Sequence, residues 1–157
     1  MRDYRLVRRS DSQRMASFPH ISLHRFYIRF SKTFVELARL QEMRTVTIYV
    51  STELQRVCFA FSPNPITQEN VDISYPLRHF RHHRFVTCTL SRRLKKTVPW
   101  IAEMAEVDDF RYRHLIPIKV DEYQDTWFVD FAAALRVFLE SRARNDLVLS
   151  PKARKQA

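Results

Sequence analysis

A chain of 157 residues without one glycine has no residue that enters left-handed backbone free of steric cost. Every tight turn and helix end must therefore be made by a residue carrying a Cβ. At a usual frequency of ~7% about eleven glycines are expected, and their absence by chance is on the order of one in 10^5. An engineered or reduced alphabet is one origin for such a composition. The absence also excludes chemistry, because Walker loops, dinucleotide fingerprints and the GxSxG elbow need backbone that a Cβ would block. What remains is 45% apolar and 13% aromatic, enough for a core, with 27 Lys and Arg against 17 Asp and Glu. The resulting charge of +10 attracts polyanions and makes nucleic acid the first expected partner. No run approaches the ~18 apolar residues of a membrane span and no secretory segment opens the chain, so a cytoplasmic protein without a membrane partner is expected. Asp3 and Asp11 argue against an organelle transit peptide.

The most legible stretch is FYIRFSKTFVELARLQEMRTVTIYVSTELQRVCFAF, Phe26 to Phe61. Phe26, Ile28 and Phe30 alternate with polar neighbours, the period of a half-buried strand. Ser31 then stands where a helix needs an acceptor for its first amides, ahead of Phe34, Val35, Leu37, Ala38 and Leu40. From Thr45 the period returns to two. Val46, Ile48 and Val50 share one face, a turn falls within Ser51 to Gln55, and Val57, Phe59 and Phe61 share a face of the returning strand. The loop before this hairpin holds Met43, the expected site of a left-handed residue.

This strand, helix and hairpin unit resembles the swapped-hairpin family of AbrB and MazE, DNA-binding transition-state regulators and antitoxins. The resemblance covers about 36 residues and rests on the order of elements, the VTIYV strand at Val46 to Val50, and its spacing from Ser31. It implies a swapped-hairpin or cradle-like β-barrel and a regulatory DNA-binding role. Val35 and Glu36 stand where the regulators carry DNA-contacting arginines, so the resemblance implies the fold and leaves the mode of DNA contact to other residues.

A second copy is expected downstream. VTIYVSTELQRVCFAF at 46–61 and IPIKVDEYQDTWFVDF at 116–131 align without a gap at an offset of 70, which pairs Ile48 with Ile118 as matching core positions. FVTCTLSRRLKK matches FYIRFSKTFVEL at the smaller offset of 59, leaving an insertion around Thr97 to Asp109 in which Pro99 interrupts the helix. Chance similarity between two hairpins is the alternative. Val71, Ile73 and Tyr75 suggest a short strand between the copies, and Phe131, Leu135, Phe138 and Leu139 form an apolar stripe on a closing helix, roughly 132–144. The fold class expected is α+β, with two β-α-β-β halves in tandem (about 19–75 and 76–144) within one domain, 19–144. A basic arm, 1–18, precedes it and a basic tail, 145–157, follows.

The densest basic and aromatic stretch runs from Leu77 to Lys96. Arg78, Arg81, His82, His83, Arg84, Arg92, Arg93, Lys95 and Lys96 are the candidate nucleic-acid-binding residues, interleaved with Phe80 and Phe85. The bland alternative is a sheet whose aromatics are core and whose cations are solvated; for Phe85 the core is the expectation. His79, His82 and His83, with Cys58, Cys88 or His114, have a metal-compatible spacing, but Arg78, Arg81 and Arg84 would repel a divalent ion, so no metal and no cofactor is expected. Cys58 and Cys88 fit free thiols of a reducing compartment better than a disulfide. Glu103, Glu106, Asp108 and Asp109 are the densest carboxylates, as a nuclease would want, yet read better as an acidic face or an intramolecular partner for the basic stretch. No catalytic residue is assigned. A regulatory DNA-binding protein ranks first. An antitoxin-like interaction module with an acidic protein partner or a homodimer ranks second, and a metal-dependent nuclease third.

Overall fold

The protein is seen here in a computed structural model that describes residues 18–80, 82, 84–106, 114–120, 123 and 125–144, with backbone alone at 114, 133–134, 137–138 and 141–142. In chain order the elements are β1 Ile21–Leu23, β2 Tyr27–Phe30, α1 Lys32–Ala38, β3 Thr45–Ser51, β4 Arg56–Ser62, β5 Ser74–Pro76, β6 Arg78–His79 and β7 Val86–Thr89. They continue as α2 Arg92–Thr97, α3 Pro99–Ala105, β8 His114–Leu115, β9 Ile118–Lys119, β10 Thr126–Asp130 and α4 Ala132–Ala143. All strand pairs are antiparallel, in two sheets ordered β6-β7-β2-β1-β8 and β5-β3-β4-β10-β9. The class is α+β. The expected barrel does not close among the described residues, because the edge strands are two or three residues long and offer too few groups for a closing ladder.

The sheets meet through aromatic rings. Phe30 of β2 stands edge-on to Phe59 and Phe61 of β4, at 5.5 and 5.3 Å between centroids, and Phe34 of α1 stands edge-on to Trp127 of β10 at 5.1 Å. Such pairs add roughly 0.5–1.5 kcal/mol each beyond the area they bury. Their core also takes in Ile101 and Met104 of α3 and Leu135 of α4, so both halves of the chain share it.

Two features repeat along the chain. Ser31 and Ser91 cap α1 and α2, each Oγ accepting an amide three residues on, from Phe34 at 3.2 Å and Leu94 at 3.1 Å. The strands before them, β2 and β7, are neighbours at the centre of the first sheet, and the hairpin return strands β4 and β10 are neighbours at the centre of the second. The capping serines lie 60 residues apart, which corrects the offset of 59: matching the initial phenylalanines would align Ile28, buried, with Thr87 of the opposite face, whereas an offset of 60 aligns it with Cys88, also buried.

A second register correction falls in the later hairpin. Ile48 pairs with Phe59, so an ungapped offset of 70 requires Ile118 opposite Val129; it lies opposite Phe128 instead. The first hairpin turns through four residues between Ser51 and Arg56, while the second turns through five between Val120 and Thr126. One added loop residue moves the whole preceding strand by one position and exchanges its faces. Leu115 is therefore buried like Val46, and Ile118 is 48% exposed like Tyr49, so Ile118 is not a core position.

Left-handed backbone occurs at Arg39 (φ 56°), Gln55 (φ 53°) and Asp125 (φ 56°). Gln55 and Asp125 each immediately precede the returning strand of their hairpin and are 70 residues apart. Met43 is not left-handed: its φ of −94° and ψ of 146° are extended, and the reversal after α1 is made four residues earlier by Arg39, whose N–H donates to the Val35 carbonyl. The expected strand through Val71 and Ile73 begins only at Ser74. Val71 and Ile73 are exposed in a turn that Asn70 holds by accepting the Thr67 amide at 2.7 Å. On α4 Leu135 is buried with Phe131 beside it, but Leu139 is half-exposed, so the stripe is shorter than expected; the Phe138 side chain, residues 1–17 of the basic arm and the basic tail lie outside the described residues.

Candidate nucleic-acid interface

In an antiparallel sheet, directly opposed residues share a face. Across the first sheet Arg78, Thr87, Arg29 and Ser22 form one such row, and Tyr27 and Thr89 form the next. Phe85, two residues before Thr87, continues this face, which turns away from the core formed by Ile21, Leu23, Ile28, Phe30 and Val86. None of its described strand residues is Asp or Glu.

Cations lie on its rings. The Arg29 guanidinium sits 4.0 Å from the centre of the Phe85 ring, and that of Arg78 sits 5.1 Å from Phe80. The Phe80 and Phe85 rings are 4.9 Å apart, closing the β6–β7 connection upon itself. Beside them opens a cleft of about 730 Å³, lined by Phe26, Tyr27, Arg78, Phe80, Phe85 and Thr89 among others. The Lys95 ammonium donates to the Arg25 carbonyl at 2.6 Å and lies 5.5 Å from the ring of Phe26, one of the lining residues. Phe85 is half-buried and lines this cleft, so it is not the core residue expected for it.

His24 stacks on Tyr27 at 4.5 Å and 15°, and Ser22 Oγ lies 3.0 Å from its Nε2. His20, behind the face, has its pKa lowered chiefly by burial; the hydrogen bond to the Phe18 carbonyl opposes that shift and the Arg29 charge adds to it. It is held neutral and is part of the scaffold.

The nine candidate residues divide. Arg78 lines the cleft, and Lys95 lies against Phe26, one of its lining rings. His82 and Arg84 are exposed in the β6–β7 connection that Phe80 and Phe85 close, and Arg92 and Lys96 are exposed on α2. Arg93 instead lines a separate groove of about 390 Å³ with Tyr49, Asp72 and Tyr75, so it does not belong to this face. Arg81 and His83 lie outside the described residues. Arg29, Tyr27 and Phe26 were missed, although the YIR alternation before Ser31 already placed Tyr27 and Arg29 on the polar side of a strand.

The other chemistries do not assemble. His79 Nε2 is 2.8 Å from the Met43 carbonyl, and no group of three His, Cys, Asp or Glu side chains converges among the described residues. Cys58 and Cys88 are free and sit in different sheets; burial drives the Cys88 thiol up to about 12. Glu106 pairs with Arg25 at 3.1 Å, and Asp108 and Asp109 lie outside the described residues. No helix among the described residues is long and apolar enough to cross a membrane. No family model, curated protein or solved structure matches this chain.

Proposed function

We propose that this protein binds nucleic acid, DNA before RNA, through the outer face of its first sheet. One observation carries the proposal: a sheet surface free of carboxylates at its described strand positions, with Arg29 and Arg78 laid on Phe85 and Phe80 beside an open cleft. Phosphates are drawn by the cations, and the net charge of +10 adds long-range attraction. The regulatory role and the swapped-hairpin ancestry rest on the resemblance of 26–61. Two Ser-capped helices and the central placing of β2, β7, β4 and β10 favour a tandem duplication. Free cysteines favour a reducing, cytoplasmic setting.

The experiment is an anisotropy titration of labelled DNA and RNA across salt concentrations. Arg78→Ala and Arg84→Ala together should weaken binding to all sequences and flatten the dependence of log K on log salt by about 0.7–0.9 for each phosphate left unneutralised. Arg93→Ala, on a different groove, should leave that slope unchanged. Equal slopes for the parent and the double variant would remove this face from the binding site.

A protein-contact reading has its own support. Tyr49, Cys58, Phe128 and Ile118 lie directly opposite one another across the second sheet, on its face away from the core. Tyr49 and Ile118 are exposed, giving an apolar strip that an antitoxin-like contact or a homodimer would cover. A stoichiometric complex disrupted by Ile118→Arg would place that contact here.

A further inference from the structure

Resting on the nucleic-acid reading, we infer that the cleft between Tyr27 and Phe80 is a nucleobase pocket, so the preferred ligand is single-stranded rather than duplex. A duplex presents phosphates and groove edges, and its base faces are stacked on one another. Such a ligand needs a charged surface and has no use for a concave ring-lined space. A single strand has free base faces, and these bind by stacking on aromatic side chains or guanidinium planes next to a cationic track.

The first sheet offers that combination. Phe26, Tyr27, Phe80 and Phe85 all line the cleft, and its volume of about 730 Å³ lies in the ~300–1,000 Å³ range of small-molecule sites. Phe26 is 57% exposed, so burying its ring against a base gains apolar contact that folding alone leaves unmade. Charge lies beside the rings: Arg78, itself a lining residue, against Phe80, and Lys95 against Phe26. With rings lining the cleft and cations against two of them, a base fits in the cleft while its flanking phosphates meet the cations. Arg29 and Arg78 are already held against rings, so less of their side-chain freedom is lost on binding.

The exposed Thr89 supplies a polar part of the lining, and a hydroxyl serves any base edge as donor or acceptor. The pocket therefore takes bases with little discrimination among them. Preference for single strands does not require sequence specificity.

The test measures affinity for one sequence as a single strand and as a duplex, at matched salt, for the parent chain and for Phe80→Leu and Tyr27→Leu. Single-strand affinity of the parent should exceed duplex affinity. Each leucine variant should lose about 5- to 150-fold on the single strand and lose less on the duplex. Thermal melts of the variants identify any that fail to fold. Independently of folding, photocrosslinking of an iodouracil-substituted single strand to the parent should map to Phe26, Tyr27, Phe80 or Phe85. Duplex affinity equal to or above that of the single strand, or crosslinks confined to other segments, overturns the pocket while leaving nucleic-acid binding intact. No binding of either ligand at low salt overturns both.

Discussion

Replacing Arg39 by glycine should stabilise this protein, although glycine in a folded element normally weakens it. Arg39 ends α1 at φ 56° and ψ 40°, a conformation that for a residue with a Cβ costs about 1–2 kcal/mol. Glycine there relieves the strain but gives the unfolded chain more freedom, a penalty of roughly 0.4–1 kcal/mol. The net expectation for Arg39→Gly is a gain of about 0.5–1 kcal/mol. Gln55→Gly should gain a similar amount, and Asp125→Gly less, since aspartate tolerates the left-handed region better. Arg39 and Asp125 line the same small depression with Trp127, so their effects need not add, whereas Gln55 is not part of that depression. Met43→Gly is the control. Met43 is extended and only 7% exposed, so that variant removes a buried side chain and should lose at least the roughly 2–5 kcal/mol of a buried Met→Ala change. Urea titrations give each value from the shift in midpoint at constant slope. A lower midpoint for Arg39→Gly, or a higher one for Met43→Gly, would refute the strain assignment.

Leu115→Ala should lose about 2–5 kcal/mol by urea titration, while Ile118→Ala on the exposed face should stay within about 0.5 kcal/mol; the reverse order would restore the ungapped hairpin alignment. Phe34→Ala, which removes the ring shared by Phe30, Phe61 and Trp127, should lose roughly 3–5 kcal/mol in the same assay. The buried Cys88 thiol, raised from 9.0 to about 12, contributes stability that is complete below pH 9 and is lost as pH climbs to 12, by about 1.4 kcal/mol per unit. Denaturation midpoints measured through that window should fall less steeply in Cys88→Val, and parallel curves would show that the thiol is not the responsible group. His20 acts at the other end: with its pKa lowered below 6.5, its stabilising effect is present above 6.5 and disappears on acidification, and His20→Gln should reduce that acid sensitivity.

Much of the fold was legible because period and capping agree over most of 26–61, the exceptions being Phe26 and Leu37, read as apolar-face positions and found exposed. Ser31, the alternations on both sides of the first turn, and Ser91 before α2 are all found as read. What was not legible depends on loop length. Ile116, Ile118 and Val120 alternate as a buried strand would, and so do Leu115 and Pro117 between them; only the fifth residue of the turn decides which set faces inward. Arg39 was missed for a similar reason, since without a glycine to mark it the left-handed position carries no signature in composition. The candidate face was half legible. The cluster in sequence from Arg78 to Lys96 located part of it, but Phe26, Tyr27 and Arg29 come from β2 and its approach, some fifty residues earlier, and pairing of β2 with β7 is what brings them together.

The width of the two sheets has a consequence for how copies of this protein meet. Long, flat edge strands invite another chain to extend the ladder, which is the first step towards fibrous aggregates. Here the outermost described strands are β6, β8, β5 and β9, of two or three residues each, and β5 covers only Thr45–Thr47 of β3, which leaves Ile48 to Ser51 at the margin of the described sheet. Pro76 ends β5, and a proline nitrogen has no hydrogen to donate to an incoming strand. Main-chain addition at the described margins is therefore confined to short segments, of which Ile48 to Ser51 is the longest. Association between copies then draws more on side-chain surfaces, which can be tuned by single substitutions and can dissociate.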